Sequence, residues 1–264
     1  MKKTTFLLAV ILVTAIACKK STTTPGGPGG TTQSTTISNG FGAAGTSNIN
    51  GVFMAELFNF PGLSVIQYHS SASLFKTAHP FNQLYQSAGI ISPGDTAGHL
   101  KINTTTMVRD TGNPSFIYTD TTSTANYSSG VKWTLAGNVN FTAFSTSVTR
   151  GFPVAANANY LPSTFSKSQN LTLNLGTAGY TNTDSLMVMI YTSSSATSGA
   201  VFKYVAGNAS SVTFTPADMS SLITNGSFNE ILVYAKNFSN MSVNGKNYVF
   251  VMHYTIGAFI TVTP

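Results

Sequence analysis

Leu186-Met187-Val188-Met189-Ile190-Tyr191 decides the fold. The run is apolar at every position, so neither face of a strand built from it is left for water. It is too short for a buried helix and is bounded by Asp184-Ser185 and Thr192-Ser193-Ser194-Ser195, which punctuate rather than extend it. It reads as the central strand of a sheet. Outward from it helical periodicity is nearly absent. Short runs rich in Val, Ile, Phe, Tyr and Thr recur between clusters of Gly, Asn, Pro and Ser. Strands are predicted near Gly51–Phe60, Leu63–His69, Leu100–Arg109, Ser115–Thr119, Val131–Ala136, Asn138–Thr149, Asn170–Leu175, Ala200–Val205, Ser211–Thr215, Glu230–Asn237 and Lys246–Val262. Within the last of these Gly257 reads as a bulge or bend. Thr215-Pro216-Ala217-Asp218 opens a short helical turn, with a Thr cap, Pro at the first helical position and an early acid. A second turn is predicted over Pro80–Ser87.

Strands at this spacing predict an all-β fold, an antiparallel β-sandwich. The loop-like stretch Ala155–Lys167 could divide it into a β-rich module over 48–160 and an Ig-like sandwich over 161–264, with jelly-roll-like modules also open. One continuous sandwich fits the pattern nearly as well.

Charge is scarce. Only 8% of the 264 residues are Asp, Glu, Lys or Arg, whereas Ser and Thr together make up about a quarter. Solubility then rests on hydroxyls and amides. The formal net charge is +6, but the basic residues are scattered singly along the folded part, from Lys76 to Lys246. Nucleic-acid binding needs a clustered basic footprint, so that class is not expected.

The N-terminus carries the most specific signal. Lys2-Lys3 precede an apolar stretch, Phe6 to Ala17, which is shorter than the ~20 residues a bilayer span needs. Small residues and then Cys18, the one cysteine of the chain, follow. This is the layout of an export signal over residues 1–17. Without Lys2 and Lys3, 11 basic and 7 acidic side chains remain, a net of +4. Ala15-Ile16-Ala17-Cys18 is similar to the lipobox of bacterial lipoproteins. That resemblance implies acylation of Cys18 as the first residue of the mature chain, with fatty chains (palmitate among them) as the anchor. The other reading is a cut nearby that leaves a free thiol. Residues 18–47 continue as Lys-Lys-Ser-Thr-Thr-Thr-Pro-Gly-Gly-Pro-Gly-Gly and further Thr, Ser, Asn and Gly, a flexible tether. About 220 residues are left to fold, enough for a sizeable core.

The lipobox, the tether, the acid-poor β-rich remainder and the strand Val131-Lys132-Trp133-Thr134-Leu135-Ala136-Gly137 together resemble the exported lipoproteins of Bacteroidota. The resemblance implies an outer-membrane, lipid-anchored protein on the periplasmic or cell-surface face. It brings no catalytic residues and no cofactor. It also implies O-glycosylation at Asp-Ser/Thr followed by a small or aliphatic residue. Asp95-Thr96-Ala97, Asp120-Thr121-Thr122 and Asp184-Ser185-Leu186 match, and Thr96 and Thr121 are the better placed. Turn chemistry explains the same triplets.

Little in the chain points to catalysis. Seven carboxylates remain, and only Glu56 and Glu230 fall on predicted strands. They are the one candidate pair for glycoside hydrolysis, which needs two carboxyls ~5–9.5 Å apart. No Gly-x-Ser-x-Gly elbow is present. His69, His79 and His99 share the loop-rich first half without metal-ligand spacing, so no metal site is assigned. For binding, Trp133 with Tyr127 is the candidate aromatic platform, the competing reading being a core tryptophan. Ser70 to Gly98 reads as a long loop holding Phe75, His79 and Tyr85, a second candidate face. The leading expectation is a non-enzymatic lipoprotein binding a glycan, an envelope component or a protein partner. A tethered hydrolase of polysaccharide or peptide and a structural envelope or matrix subunit are the alternatives.

Overall fold

The computed structural model describes residues 48–60, 65–80, 85–86, 89–90, 98–109, 118–119, 127, 130–195, 197–224 and 226–264. The strands are β1 (Asn48–Phe60), β2 (Val65–Pro80), β3 (Tyr85–Gln86), β4 (Gly89–Ile90), β5 (Leu100–Ile102), β6 (Thr105–Thr106), β7 (Val108–Arg109), β8 (Tyr118–Thr119), β9 (Val131–Leu135) and β10 (Phe144–Val148). They continue as β11 (Val154–Ala155), β12 (Thr164–Ser166), β13 (Leu171–Asn174), β14 (Tyr180–Thr181), β15 (Ser185–Ser193), β16 (Ser198–Ala206), β17 (Ser211–Phe214), β18 (Phe228–Val243), β19 (Lys246–Phe259) and β20 (Thr261–Thr263). Among the described residues the helical content is one turn, α1 (Leu175–Ala178), and a 3-10 turn over Asp218–Ser221. The chain is an all-β sandwich.

The main sheet has eight strands in the order β16-β15-β18-β19-β1-β2-β8-β7. The apolar run 186–191 lies in β15, flanked by β16 and β18, as its composition requires. The pairings are antiparallel except β1 with β19, which run parallel. That parallel pair joins residues 197 positions apart, as Gly51 with Tyr248, so the sheet crosses the boundary drawn at 160/161. One apolar cluster also spans that boundary, joining Phe53 and Trp133 to Tyr248, Phe250 and Met252.

Side-chain alternation explains the layering. Along β19, Tyr248, Phe250, Met252, Tyr254 and Ile256 point to one face, the near face. At the β1–β2 end this face packs against the four-stranded sheet β10-β9-β5-β6, through Phe53, Ala72, Leu74, Leu100, Ile102 and Leu135 among others. At the β15–β18 end it packs against β12, β13, β17, α1 and the 3-10 turn, through Leu186, Val188, Ile190, Val233, Phe214 and Met219. Trp133 sits at the centre of the first cluster, fully buried, its ring edge-on to Phe53 at 5.2 Å. We expect Trp133→Ala to cost about 3–5 kcal/mol, read as a lowered urea midpoint. A loss below about 1 kcal/mol would contradict this packing.

Local chemistry sets the turns. Asn174 accepts a hydrogen bond from the Thr177 N–H at the start of α1, and Gly179 closes it in the left-handed region. Thr215 and Asp218 cap one another: the Thr215 Oγ1 accepts from the Asp218 N–H and the Asp218 carboxylate accepts from the Thr215 N–H. Of the turn expected over Pro80–Ser87, residues 81–84 and 87 lie outside the described residues, and the others are strand. Pro80 instead ends β2, and Tyr85–Gln86 pairs with Gly89–Ile90. The loop expected from Ser70 is strand as far as Pro80, because β2 pairs with β1 up to Leu74 and again at His79 and Pro80, across a shift of register between Ile49 and Gly51. Nor is Gly257 a bulge: it holds its place opposite Leu232 in an unbroken β18–β19 ladder.

Candidate functional site

Val243-Asn244-Gly245-Lys246 fixes the site's register. Asn244 and Gly245 both have positive φ, 47° and 74°, as a two-residue hairpin with the twist of its strands demands. From this turn β18 and β19 pair one to one for fourteen positions. Lys236 therefore stands opposite His253, and Glu230 opposite Phe259.

On the far face of the main sheet this register assembles a polar row across five strands: His69 on β2, Glu56 on β1, His253 on β19, Lys236 on β18 and Ser185 on β15. Its centre is dry. His253 is 1% exposed and Lys236 2%. The Glu56 carboxylate accepts a 2.7 Å hydrogen bond from the Thr255 hydroxyl and lies 4.0 Å from His253 Nδ1. Burial, and then the neighbouring Lys236 ammonium, hold the His253 imidazole well below its usual pKa. It is neutral at pH 7, and its approach to Glu56 is not an ion pair. Burial also lowers Lys236 to about 7, although Glu56 opposes the shift. The lysine ammonium lies over the Tyr234 ring, 5.8 Å from the centroid.

From the next rung onward on the same face the row gives way to aromatics. Phe58 stacks on Phe60 at 5.1 Å, Phe60 meets Phe259 at 5.2 Å, Phe259 meets Phe228 at 5.6 Å and Phe228 meets Tyr191 at 6.3 Å. On the outermost strand Phe202 and Tyr204 pack edge to face at 5.8 Å. Met187, Met189, Leu232 and Tyr234 floor this ladder. Its rings are half-buried at Phe58, Tyr191, Tyr204, Phe228 and Phe259, and Phe202 is 36% exposed. Glu230 is embedded among them, 1% exposed, and neither carboxylate oxygen finds a partner among the described residues. Desolvation pushes its pKa up to about 8, so the carboxyl is mostly protonated at neutral pH.

The candidates from sequence fall elsewhere. Trp133 presents no face to a ligand. Tyr127 is 4% exposed, stacked on Phe152 and donating its hydroxyl to the His69 carbonyl at 3.1 Å. Both belong to the near-face core, because alternation on β9 points Val131, Trp133 and Leu135 inward together. Phe75 is likewise buried, at 3%. His79 is exposed near the end of β2, edge-on to Phe75. Tyr85 lies in β3, but its side chain is outside the described residues, as are Thr96 and Thr121. Ser185, in the third glycosylation triplet, is buried within β15, and Asp184 is clamped by Arg150 at 2.6 and 2.7 Å.

Glu56 and Glu230 share the far face but not a site. Their rungs are six residues apart along β18 and β19, about 20 Å at ~3.3 Å per residue, beyond any glycosidase carboxyl spacing. His69 and His79 lie at opposite ends of β2. Among the described residues no three His, Cys, Asp or Glu side chains gather as a metal site. The sequence offers Glu56 only as half of a glycosidase pair with Glu230 and does not single out Lys236, His253 or the aromatic ladder. The signal that could have found them is Asn244-Gly245: counting outward from that turn pairs Lys236 with His253 directly. No family model, curated protein or solved structure matches the chain.

Proposed function

We propose that this chain is an exported lipoprotein, anchored to the outer membrane through Cys18, whose β-sandwich ectodomain binds an envelope saccharide along the aromatic ladder of its main sheet. The observation that carries this reading is the run of partly exposed rings from Phe58 to Tyr204 on one face. Flat apolar rings backed by a rigid sheet take up the C–H faces of sugar rings at little cost in side-chain entropy. The signal over 1–17 and the Thr/Gly/Pro tether support the location: a slack leash lets a sheet face approach a polymer in the envelope.

The test uses the acylated full chain in detergent. Mass spectrometry of chain from a lipidating host should show Cys18 as the acylated N-terminus. Pull-down with peptidoglycan and soluble envelope polysaccharides should enrich at least one, and Tyr191→Ala with Phe228→Ala should weaken that binding about tenfold, the size of a truncated hot spot. Enrichment of no saccharide, or binding indifferent to both substitutions, overturns the saccharide reading. An unmodified Cys18 overturns the anchor.

A further inference from the structure

We propose that two copies of this chain pair edge to edge through β16, antiparallel, with the two-fold axis at Phe202. The two ends of the main sheet are built differently. One ends in β7, only two residues long and closed by Arg109. Shortness and charge are the devices that keep a sheet edge from recruiting another strand. The other end is β16, nine residues in unbroken one-to-one register with β15, with no proline and no bulge. Its sequence, Ser198-Gly199-Ala200-Val201-Phe202-Lys203-Tyr204-Val205-Ala206, holds one charge. Even that charge is drawn off the edge: the Lys203 ammonium pairs with Asp218 at 2.6 Å and donates to the Thr213 carbonyl at 2.8 Å, both in the layer covering the near face. Among the described residues no strand pairs with the outer side of β16, and it is the longer and more regular of the two sheet edges.

Self-complementarity selects a second copy of this chain as the occupant. Phe202 is the midpoint of β16, so an antiparallel pair centred there overlaps all nine residues. Lys203 then faces Val201 of the other copy, and Tyr204 faces Ala200. Centring on Lys203 would instead leave Ser198 and Gly199 of each copy outside the paired stretch of β16. The Phe202-centred pair also places the two copies of the most exposed ring in the ladder against each other, so the aromatic faces become continuous across the axis. Because the β7 end is blunt, the pairing closes as a two-fold dimer instead of growing into a fibre. Nothing in it depends on what the ladder binds.

Sedimentation of the full chain carrying Cys18→Ser, at micromolar concentration, should report a dimer. In the same background Phe202→Cys should be trapped by a short bismaleimide, since residues opposed across an antiparallel pair have Cβ atoms ~5 Å apart. Ala206→Cys alone should not be trapped, whereas a mixture of Ser198→Cys and Ala206→Cys copies should be. Phe202→Lys should return the chain to monomer with unchanged circular dichroism and Trp133 fluorescence. A monomer in the Cys18→Ser chain overturns the proposal. So does a dimer that traps Ala206→Cys with itself, or one that survives Phe202→Lys. Saccharide binding can fail while these results stand, and the reverse.

Discussion

Replacing Glu230 by glutamine is expected to stabilise the fold at pH 8 and above by on the order of 3–5 kcal/mol, and to leave it nearly unchanged at pH 4. The sign follows from the raised pKa. Between the ordinary glutamate value of 4.5 and the folded value of about 8, the native state keeps a proton that the unfolded chain has released. Stability is therefore fully present below about 4.5 and falls as pH rises through 8. Glutamine has nearly the same shape and leaves polar atoms in the same place, but it never has to ionise in a dry setting. Urea unfolding followed by Trp133 fluorescence at pH 4, 6 and 8 measures the difference directly, since this is the single tryptophan of the chain and lies in the core. An acid-to-neutral slope equal in both proteins would mean that water reaches Glu230.

Lys236 gives the opposite limb. Its pKa is lowered from 10.5 to about 7, so from 7 upward the unfolded chain holds the extra proton and stability rises toward 10.5. These two groups together place a stability minimum near neutral pH. A buried row that costs stability in this way is retained in strands where apolar residues would pack better, and it lies on the same face as the aromatic ladder.

The class of the fold was legible because it rests on local patterns. The doubly apolar run 186–191, the alternation in Val131–Leu135 and the cap at Thr215-Pro216 each act within a few residues, and each appears where its chemistry puts it. What was not legible depends on partners distant in the chain. The parallel pairing of β1 with β19 brings Glu56 beside His253, and no spacing in the sequence announces it. Trp133 looks alike on an exposed platform and in a core until the sheet that covers it is known. Leu100–Arg109 reads as one strand but breaks at Asn103, whose φ of 51° turns the chain from β5 into β6. The far-face row was missed for a different reason. Charged residues on alternating strands usually face water, and here Lys236 and His253 are buried on two adjacent inner strands, β18 and β19, instead.

Gly257→Ala is expected to destabilise the protein by about 3 kcal/mol, although alanine is otherwise the better strand residue. The backbone at Gly257 is extended, so the cost is steric. A Cβ there would fall 2.2 Å from Cε2 and 2.3 Å from Cζ of Phe60. Phe60 cannot easily yield, because its ring is 1% exposed, stacked on Phe58 and packed against Phe259. The glycine is thus the seat of an aromatic ring that shields an otherwise bare stretch of ladder. Phe60→Leu alone should also cost stability, by opening space over the same glycine. The two changes should then partly cancel: in Phe60→Leu/Gly257→Ala the alanine methyl occupies room the ring has vacated. A coupling of at least about 1 kcal/mol in the double-mutant cycle is the expected result. Strict additivity would show that Phe60 does not rest on Gly257, and it would remove the keystone of the ladder from Phe58 to Phe259 on which saccharide binding is proposed.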